Sequence, residues 1–549
     1  MPKQIDYTPE EVFDAFQRLG RSQRAVSREL GISRGAVKYR LEKAAQLGMD
    51  YDAPISGGKF TAFKTIVMPL PKVGEVKRYI LSSIQNNTDA HVPFVENLVA
   101  YAEHIGAEFK VARYSYNRAA YGNKGTKAGK GPTEDDTKEL WFDPIFDEYI
   151  CDDRLELAPQ LLFCGEMNIS PTAKRPLSSL ETYAGRKSAI FPHTKFALES
   201  IAGTANEGAK FNYTTGTATL LNYIQKKQGL QAEFHHGFGA VIVEVDHEGD
   251  WFVRQLNADN DGTFYDITPA GVVRVSDGEV SSGAVAAINW GDIHAEVVDP
   301  EIYELSFADG GILDTLRPSH QFAHDVLDFR ARNHHEIKNC HQMFKRWREG
   351  TDNVRDEVHR VKALLEDIDR DFCTTVIVDS NHDRALERWL READYKTDPE
   401  NAVYFLERQL AQYRAIENDD QDYHALREAL RDAGLSRDFL FLGPDDSFVL
   451  CNEDDEFSGG VEFGMHGHLG PNGSRGTPLG LSRLGRKANT GHTHSAQIID
   501  GLYVAGTMSK LRLDYNSGPS SWSHSFIVTY ENGKRTIITC YNGKWRAGP

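Results

Sequence analysis

Apolar positions along this chain repeat with two different periods, and the places where the period changes divide it. Near the N-terminus the period is helical. Val12, Phe13, Phe16 and Leu19 share one face of Pro9–Leu19. A second short helix is predicted at Gln23–Leu30 and a third at Arg34–Gln46, with Val37, Leu41 and Ala44 pointing inward. Gly31 gives the turn between them a permissive backbone, and Ser33 suits the N-cap of the third helix. Asp52–Lys59 is a linker by composition. Beyond it, Arg78–Ser82 reads as a strand, Val92–Ile105 as an amphipathic helix and Phe109–Ala112 as a strand, one strand–helix–strand unit of an α/β layer. Further strands are predicted at Leu161–Cys164, Ala240–Val245 and Trp251–Gln255.

From Val285 onward, apolar runs of strand length recur and each ends on polar residues. Val285–Trp290 empties into a predicted tight turn at Gly291, followed by Asp292 and His294. His320–Asp328 brings Asp325 and Asp328 after a short strand. Thr374–Asp379 leads into Ser380-Asn381-His382-Asp383, and Val461–Met465 precedes His466 and His468. Gly491-His492-Thr493-His494 stands before the Ala496–Ile499 strand. Phe526–Tyr530 and Thr536–Tyr541 form a hairpin through Asn532-Gly533. Two charge-rich helical stretches, Glu336–Asp369 and Arg384–Ala433, are inserted. The apolar stripe Val403, Leu406, Leu410, Tyr413 in the second reads as core or interface, and the insertions as a cap or dimer face. The pattern divides the chain into an all-α head (1–50), an α/β middle domain (60–283) and a C-terminal domain (284–549).

Composition changes this picture little. With 549 residues there is ample chain for several cores. A net charge of -18 argues against an all-over nucleic-acid coat, although a local basic face remains open to DNA. The six cysteines are scattered with no CxxC, as expected of reduced thiols in a cytoplasm. No signal peptide and no membrane span is read from the chain. The Gly- and Lys-rich loop Asn117–Asp136, with Lys124, Lys127 and Lys130, reads as a solvated loop or a phosphate-contacting flap. His235 and His236, before Gly237-Phe238-Gly239, read as hydrogen-bonded histidines at a strand edge.

The head carries a recognisable pattern. SQRAVSRELGISRGAVKYRLEKA, spanning about 30 residues, resembles a bacterial helix-turn-helix of the Fis or resolvase kind. The resemblance implies that Ser33, Arg34, Lys38 and Tyr39 face bases or phosphates. The other reading is a three-helix oligomerisation or docking module.

The C-terminal chemistry rests on order. A carboxylate and an imidazole one residue apart at a strand end can reach one metal ion, and later segments repeat that logic along one edge of a sheet. The succession D-x-H, D-x-x-D, NHD, H, GHTH across residues 284–549 resembles the calcineurin-like metallophosphoesterases, in particular their SbcD-like nuclease branch. His324 and Ser380 depart from the family's glycines at those places. The resemblance implies an α/β fold with a β-sandwich flanked by helices, and two divalent ions, Mn²⁺ first, with Fe, Zn²⁺ or Mg²⁺ as alternatives. Asp292, His294 and His494 would hold one ion, Asn381, His466 and His492 the other, and Asp325 would bridge them. His466 is preferred to His468 because it comes first after the strand. A bridging hydroxide would be the nucleophile. His382 would stabilise the transition state or protonate the leaving oxygen, and Asp383 would orient it. Asp328, His334 and His335 would be outer hydrogen-bond partners. Arg475, Arg483, Arg486 and Lys487, in the loop His468–Lys487, either contact substrate phosphates or are simply solvated.

The expectation is therefore a metal-dependent DNA phosphodiesterase, a homo-oligomer free of membranes, in the cytoplasm of a bacterial cell or phage-infected host. Two alternatives stand beside it. One is a small-molecule phosphoesterase, favoured by a pocket closed by 384–433. The other is a DNA-bound regulator with a vestigial phosphoesterase site.

Overall fold

The computed structural model describes residues 7–19, 23–32, 34–49, 63–115, 141–334, 336–452 and 460–548. The linker Asp52–Lys59, the loop Asn117–Asp136, Ser33 and His335 lie outside the described residues. The fold is mixed α/β with several sheets.

Three helices make the head, Pro9–Arg18, Gln23–Leu30 and Arg34–Gln46. The first is closed at its start by a capping box: Thr8 Oγ1 accepts from Glu11 N–H at 3.2 Å, and Glu11 accepts from Thr8 N–H at 2.8 Å. Val12, Phe16, Val26, Ile32, Val37 and Leu41 form its own small core.

The C-terminal region is built on a six-stranded sheet. Its spatial order is 440–441, 374–377, 320–324, 285–292, 525–530, 535–539. The first four run parallel, and the last two are antiparallel. Strands with both faces covered should read as near-continuous apolar runs, and Val285–Trp290 and Thr374–Ile377 do. Alternate residues serve opposite faces. Ile288, Trp290, Ala323 and Ile377 join the core beneath helices such as Val354–Ile368, Ala385–Glu392 and Ala425–Asp432. Ala287, Phe322 and Val376 face a second sheet through Val461 and Phe463, with the Phe322 and Phe463 rings stacked at 4.5 Å.

That second sheet has eleven strands and joins distant parts of the sequence. Strands 449–450, 461–462, 488–490, 502–504 and 497–499 continue, through the antiparallel pairs Gln497–Glu199 and Ile498–Leu198, into strands 198–201, 210–214, 188–191, 161–164, 154–158 and 65–67. Residue 284 is therefore no break in the sheet architecture. The strand–helix–strand unit reads as expected, with 77–85 and 107–114 parallel around the helix Val92–Ile105.

Two local expectations are corrected. Gly291 makes no turn: it lies inside the strand Val285–Asp292. It is glycine because a Cβ there would sit 2.5 Å from the Gly506 carbonyl oxygen, so the neighbouring chain can pass only over a bare Cα. The stripe Val403, Leu406, Leu410, Tyr413 is not core. These side chains are 66, 45, 51 and 64% exposed, while Tyr404, Phe405 and Arg408 turn inward. Among the described residues no helix is long and apolar enough to cross a membrane.

Candidate metal centre

Each candidate ligand leaves the end of a strand. Asp292 closes strand 285–292, Asp325 follows 320–324, and Asn381 and His382 follow 374–377. From the facing sheet, His466 follows 461–462, and His492 and His494 follow 488–490. Parallel neighbours end side by side, so both sheets deliver polar groups to one edge. The backbone is bent sharply there: His294, Asp325, His492 and His494 have φ of 52°, 45°, 74° and 58°. Non-glycine residues hold this left-handed conformation at a cost of about 1–3 kcal/mol each, which the surrounding sheets sustain.

The side chains converge. Asp292, His294, Asp325 and His494 are buried, and their ligand atoms all lie within 4.8 Å of one another. His494 Nε2 is 2.8 Å from Asp292 Oδ2 and 3.3 Å from His294 Nε2. Asp325 Oδ2 stands 3.8 Å from His294 Nε2 and 3.4 Å from His466 Nε2, so it faces both halves of the expected set. His466 Nε2 in turn lies 3.1 Å from Asn381 Oδ1. The His492 ring is 5.1 Å from that of His466, and its backbone N–H donates to Asp292 Oδ1 at 2.9 Å. His468 stands one ring further out, 5.3 Å from His466.

Cation binding needs ionised carboxylates and neutral imidazoles; Asp292, Asp325 and His466 lean that way, whereas at His294 burial is outweighed by Asp328, which raises it. Burial would raise Asp292, but His466 and His494 hold it well below the usual carboxylate range. Burial opposes ionisation of Asp325 too, and His466 and His382 keep it low. Burial lowers His466 to about 3, leaving its lone pairs free. Several ring nitrogens here, His466 Nδ1 and His494 Nδ1 among them, are buried without a hydrogen-bond partner. Such atoms are costly unless something else satisfies them. The donor set therefore fits divalent metal.

The residues behind the cluster differ from expectation. Asp383 does not reach His382. Its carboxylate accepts from Leu327 N–H at 2.9 Å and from the Ser380 hydroxyl at 2.8 Å, so Ser380, in place of glycine, closes its own loop. Asp328 does the orienting. Its Oδ1 lies 3.2 Å from His294 Nδ1 and 3.3 Å from His382 Nδ1, and its carbonyl oxygen is 2.9 Å from the latter. One carboxylate thus fixes two imidazoles, leaving each Nε2 facing outward. His324 fills the space its glycine counterpart would leave, fully buried, 5.5 Å from the His466 ring. Gly491 is required beside it, because a Cβ there would meet Asp292 Oδ1 at 2.3 Å.

Other expected groups stand apart. Arg475, Arg483, Arg486 and Lys487 are exposed on a loop whose Gly476 packs against Gly467, next to His466. In the head, Tyr39 is 59% exposed, whereas the Lys38 side chain is only 13% exposed and lies 3.8 Å from Glu42. Arg34 begins the third helix, but its side chain, like all of Ser33, is outside the described residues. His334 is exposed. His236 is held by Tyr223 at 2.8 Å and Thr219 at 3.2 Å, a structural histidine. The acidic trio Asp246, Glu248, Asp250 encloses the Lys544 ammonium, which takes the place a cation would have.

No family model matches the sequence, and no solved structure matches it. A curated relative does: Protein A1 of Escherichia phage T5, 41% identical over 491 residues, covering 87% of this chain and 84% of the relative. The chain belongs to the Protein A1 family. At that coverage the match runs over most of both chains rather than a short shared fragment.

Proposed function

We propose that this protein is a metal-dependent phosphodiesterase that cuts DNA, with a metallophosphoesterase centre at the joint edge of its two sheets. The observation carrying this reading is the convergence of Asp292, His294, Asp325 and His494, with Asp325 also facing His466 beside Asn381. Asp292, His294, Asp325 and His494 would hold one divalent ion, and Asp325, Asn381, His466 and His492 a second. Mixed nitrogen and oxygen donors suit Mn²⁺, with Fe, Zn²⁺ or Mg²⁺ as alternatives. When bound, such a pair supplies Lewis-acid polarisation of the phosphoryl group and lowers the pKa of water.

The chain's own residues do the rest. His382 is held through Nδ1 by Asp328, and its side chain is 20% exposed, open toward the cluster. Burial works against its charge, but Asp325 and Asp328 outweigh it and raise the imidazole to about 10. In its protonated form it can donate from Nε2 to the leaving oxygen. Asp383 supports that loop from behind.

DNA as substrate is supported by the helical head, by Tyr39 on its surface and by the exposed arginines of 475–487. The 384–433 insertion lines a cavity of about 410 Å³ with Asp379 and Asp383, and none of the proposed ligands lines it. The test is cleavage of labelled linear, circular and single-stranded DNA by chelator-stripped protein given Mn²⁺. Cutting that Asp325→Asn and His382→Ala both lose is expected. Hydrolysis of a small phosphodiester without DNA cutting would move the protein to the small-molecule class.

A further inference from the structure

The loop Lys510–Trp522 runs beside the centre and belongs to none of the motifs that mark it. It is fixed at both ends: Lys510 N–H donates to the Val297 carbonyl at 3.0 Å, and Ser520 N–H to the Gly203 carbonyl at 3.0 Å. Inside it, Asn516 Nδ2 donates to the Leu511 carbonyl at 2.9 Å and Asn516 Oδ1 accepts from Leu513 N–H at 2.8 Å. This frame presents two aromatic rings. Trp522 lies edge-on to the His494 ring at 4.1 Å, and Tyr515 lies edge-on to Trp522 at 5.8 Å. Tyr515 is 51% exposed. Tyr515 thus stands two ring contacts from the candidate ligand His494, with about half of its surface left for a further partner.

Next to it lies a cavity of about 440 Å³, lined by Arg330, Lys345, Arg360, Lys510 and Arg512 together with Asp514 and buried acids. Arg330 joins the two features, with Nη2 3.2 Å from Asp514 and Nε 3.7 Å from Asp328, the residue that holds His382. With Arg346, six basic side chains line it against four acids, Glu296, Glu349, Glu357 and Asp514. The cavity is left cationic.

A ring face and a cationic hollow side by side are what an unpaired nucleotide requires, since every base has a π-face and every linkage a phosphate. We propose that Tyr515, backed by Trp522, is the stacking platform for an unpaired base of the DNA substrate, and that the Lys510–Arg512 cavity takes the phosphate beside it. This rests on the nuclease reading above. It makes the enzyme selective for single strands and frayed ends, because a base within continuous duplex is already stacked on its neighbours.

The experiment compares kcat and KM for a dT12 oligonucleotide and for a blunt hairpin duplex, in wild type, Tyr515→Ala and Tyr515→Phe. Tyr515→Ala is expected to raise KM for dT12 about tenfold, while Tyr515→Phe, which keeps the ring, stays within about twofold and the duplex is little affected. A 2-aminopurine placed along the oligonucleotide should be quenched at one position by wild type and not by Tyr515→Ala. Lys510→Ala should lower the salt dependence of dT12 binding by about one phosphate's worth. Unchanged KM for dT12 in Tyr515→Ala, or equal losses on both substrates, overturns the platform while leaving the nuclease intact. Wild type that hydrolyses bis(p-nitrophenyl) phosphate but cuts no DNA overturns both.

Discussion

Two buried polar clusters in this molecule invite comparison. In the middle region, the Arg254 guanidinium is 2% exposed and contacts Glu244 Oε2 at 2.9 Å, Asp266 at 2.7 and 3.0 Å, and the Ile267 carbonyl at 3.0 Å. Tyr101 donates to Asp266 at 2.7 Å, and Arg78 reaches Glu244 at 3.0 Å. Cations meet anions until the cluster closes on itself. At the candidate metal centre, Asp292, Asp325 and Asp328 face mainly imidazoles, buried ring nitrogens lack partners, and the backbone is held left-handed at four of the residues. Both clusters carry a desolvation cost. The first offsets it internally, and the second has a donor set that could hold a metal ion. Burial and charge alone do not separate structural from functional polar groups; incompleteness does.

Breaking each cluster should have opposite signatures. Arg254→Met is expected to cost on the order of 3–5 kcal/mol of stability, because it strands Glu244 and Asp266. It should leave Mn²⁺ affinity of the folded protein unchanged, read by denaturant melts and calorimetry. Asp325→Asn should do the reverse. It should leave the metal-free protein as stable as wild type, lower diester hydrolysis about a thousandfold, and abolish the rise in Tm that Mn²⁺ gives wild type. His382→Ala separates chemistry from binding: kcat falls about a hundredfold while the Mn²⁺-dependent rise in Tm persists.

The smallest effect lies at the border between the two kinds of cluster. Burial and Asp328 raise Glu357 from 4.5 to about 8. A carboxyl that holds its proton more tightly in the fold withdraws stability as pH climbs above 4.5, with the full loss reached by about 8. Glu357→Gln should therefore match wild type at pH 4 and be the more stable of the two at pH 8.5, read by denaturant melts. A variant equally stable or less stable at pH 8.5 would contradict the assignment.

Much of the centre was legible in the sequence because each ligand sits next to an apolar run of strand length. Asp292 after Ala-Ala-Ile-Asn-Trp and Asn381 after Thr-Val-Ile-Val-Asp announce strand ends, and parallel strands bring their ends together. The helices of the head were legible for a similar reason, their period being strong and uninterrupted. What the pattern could not carry is pairing between distant segments. Nothing local to Leu198 says that it lies beside Ile498, and the close passage of Gly506 that makes residue 291 glycine is equally remote in sequence. The exchange of roles between Asp383 and Asp328 has the same origin, since adjacency to His382 in sequence does not give adjacency of side chains across a left-handed turn. Tyr515 and Trp522 carry no such pattern, because a loop aromatic has no periodicity; a tyrosine between two basic residues and a tryptophan is the one signal there.

The central claim is that the incomplete cluster holds divalent ions. It is tested most directly by counting Mn²⁺ per chain, by elemental analysis after chelation, reloading and desalting, in wild type and Asp325→Asn. The account predicts about two per wild-type chain and less than one in the variant. No retained metal in wild type, or equal loading of both proteins, would contradict it.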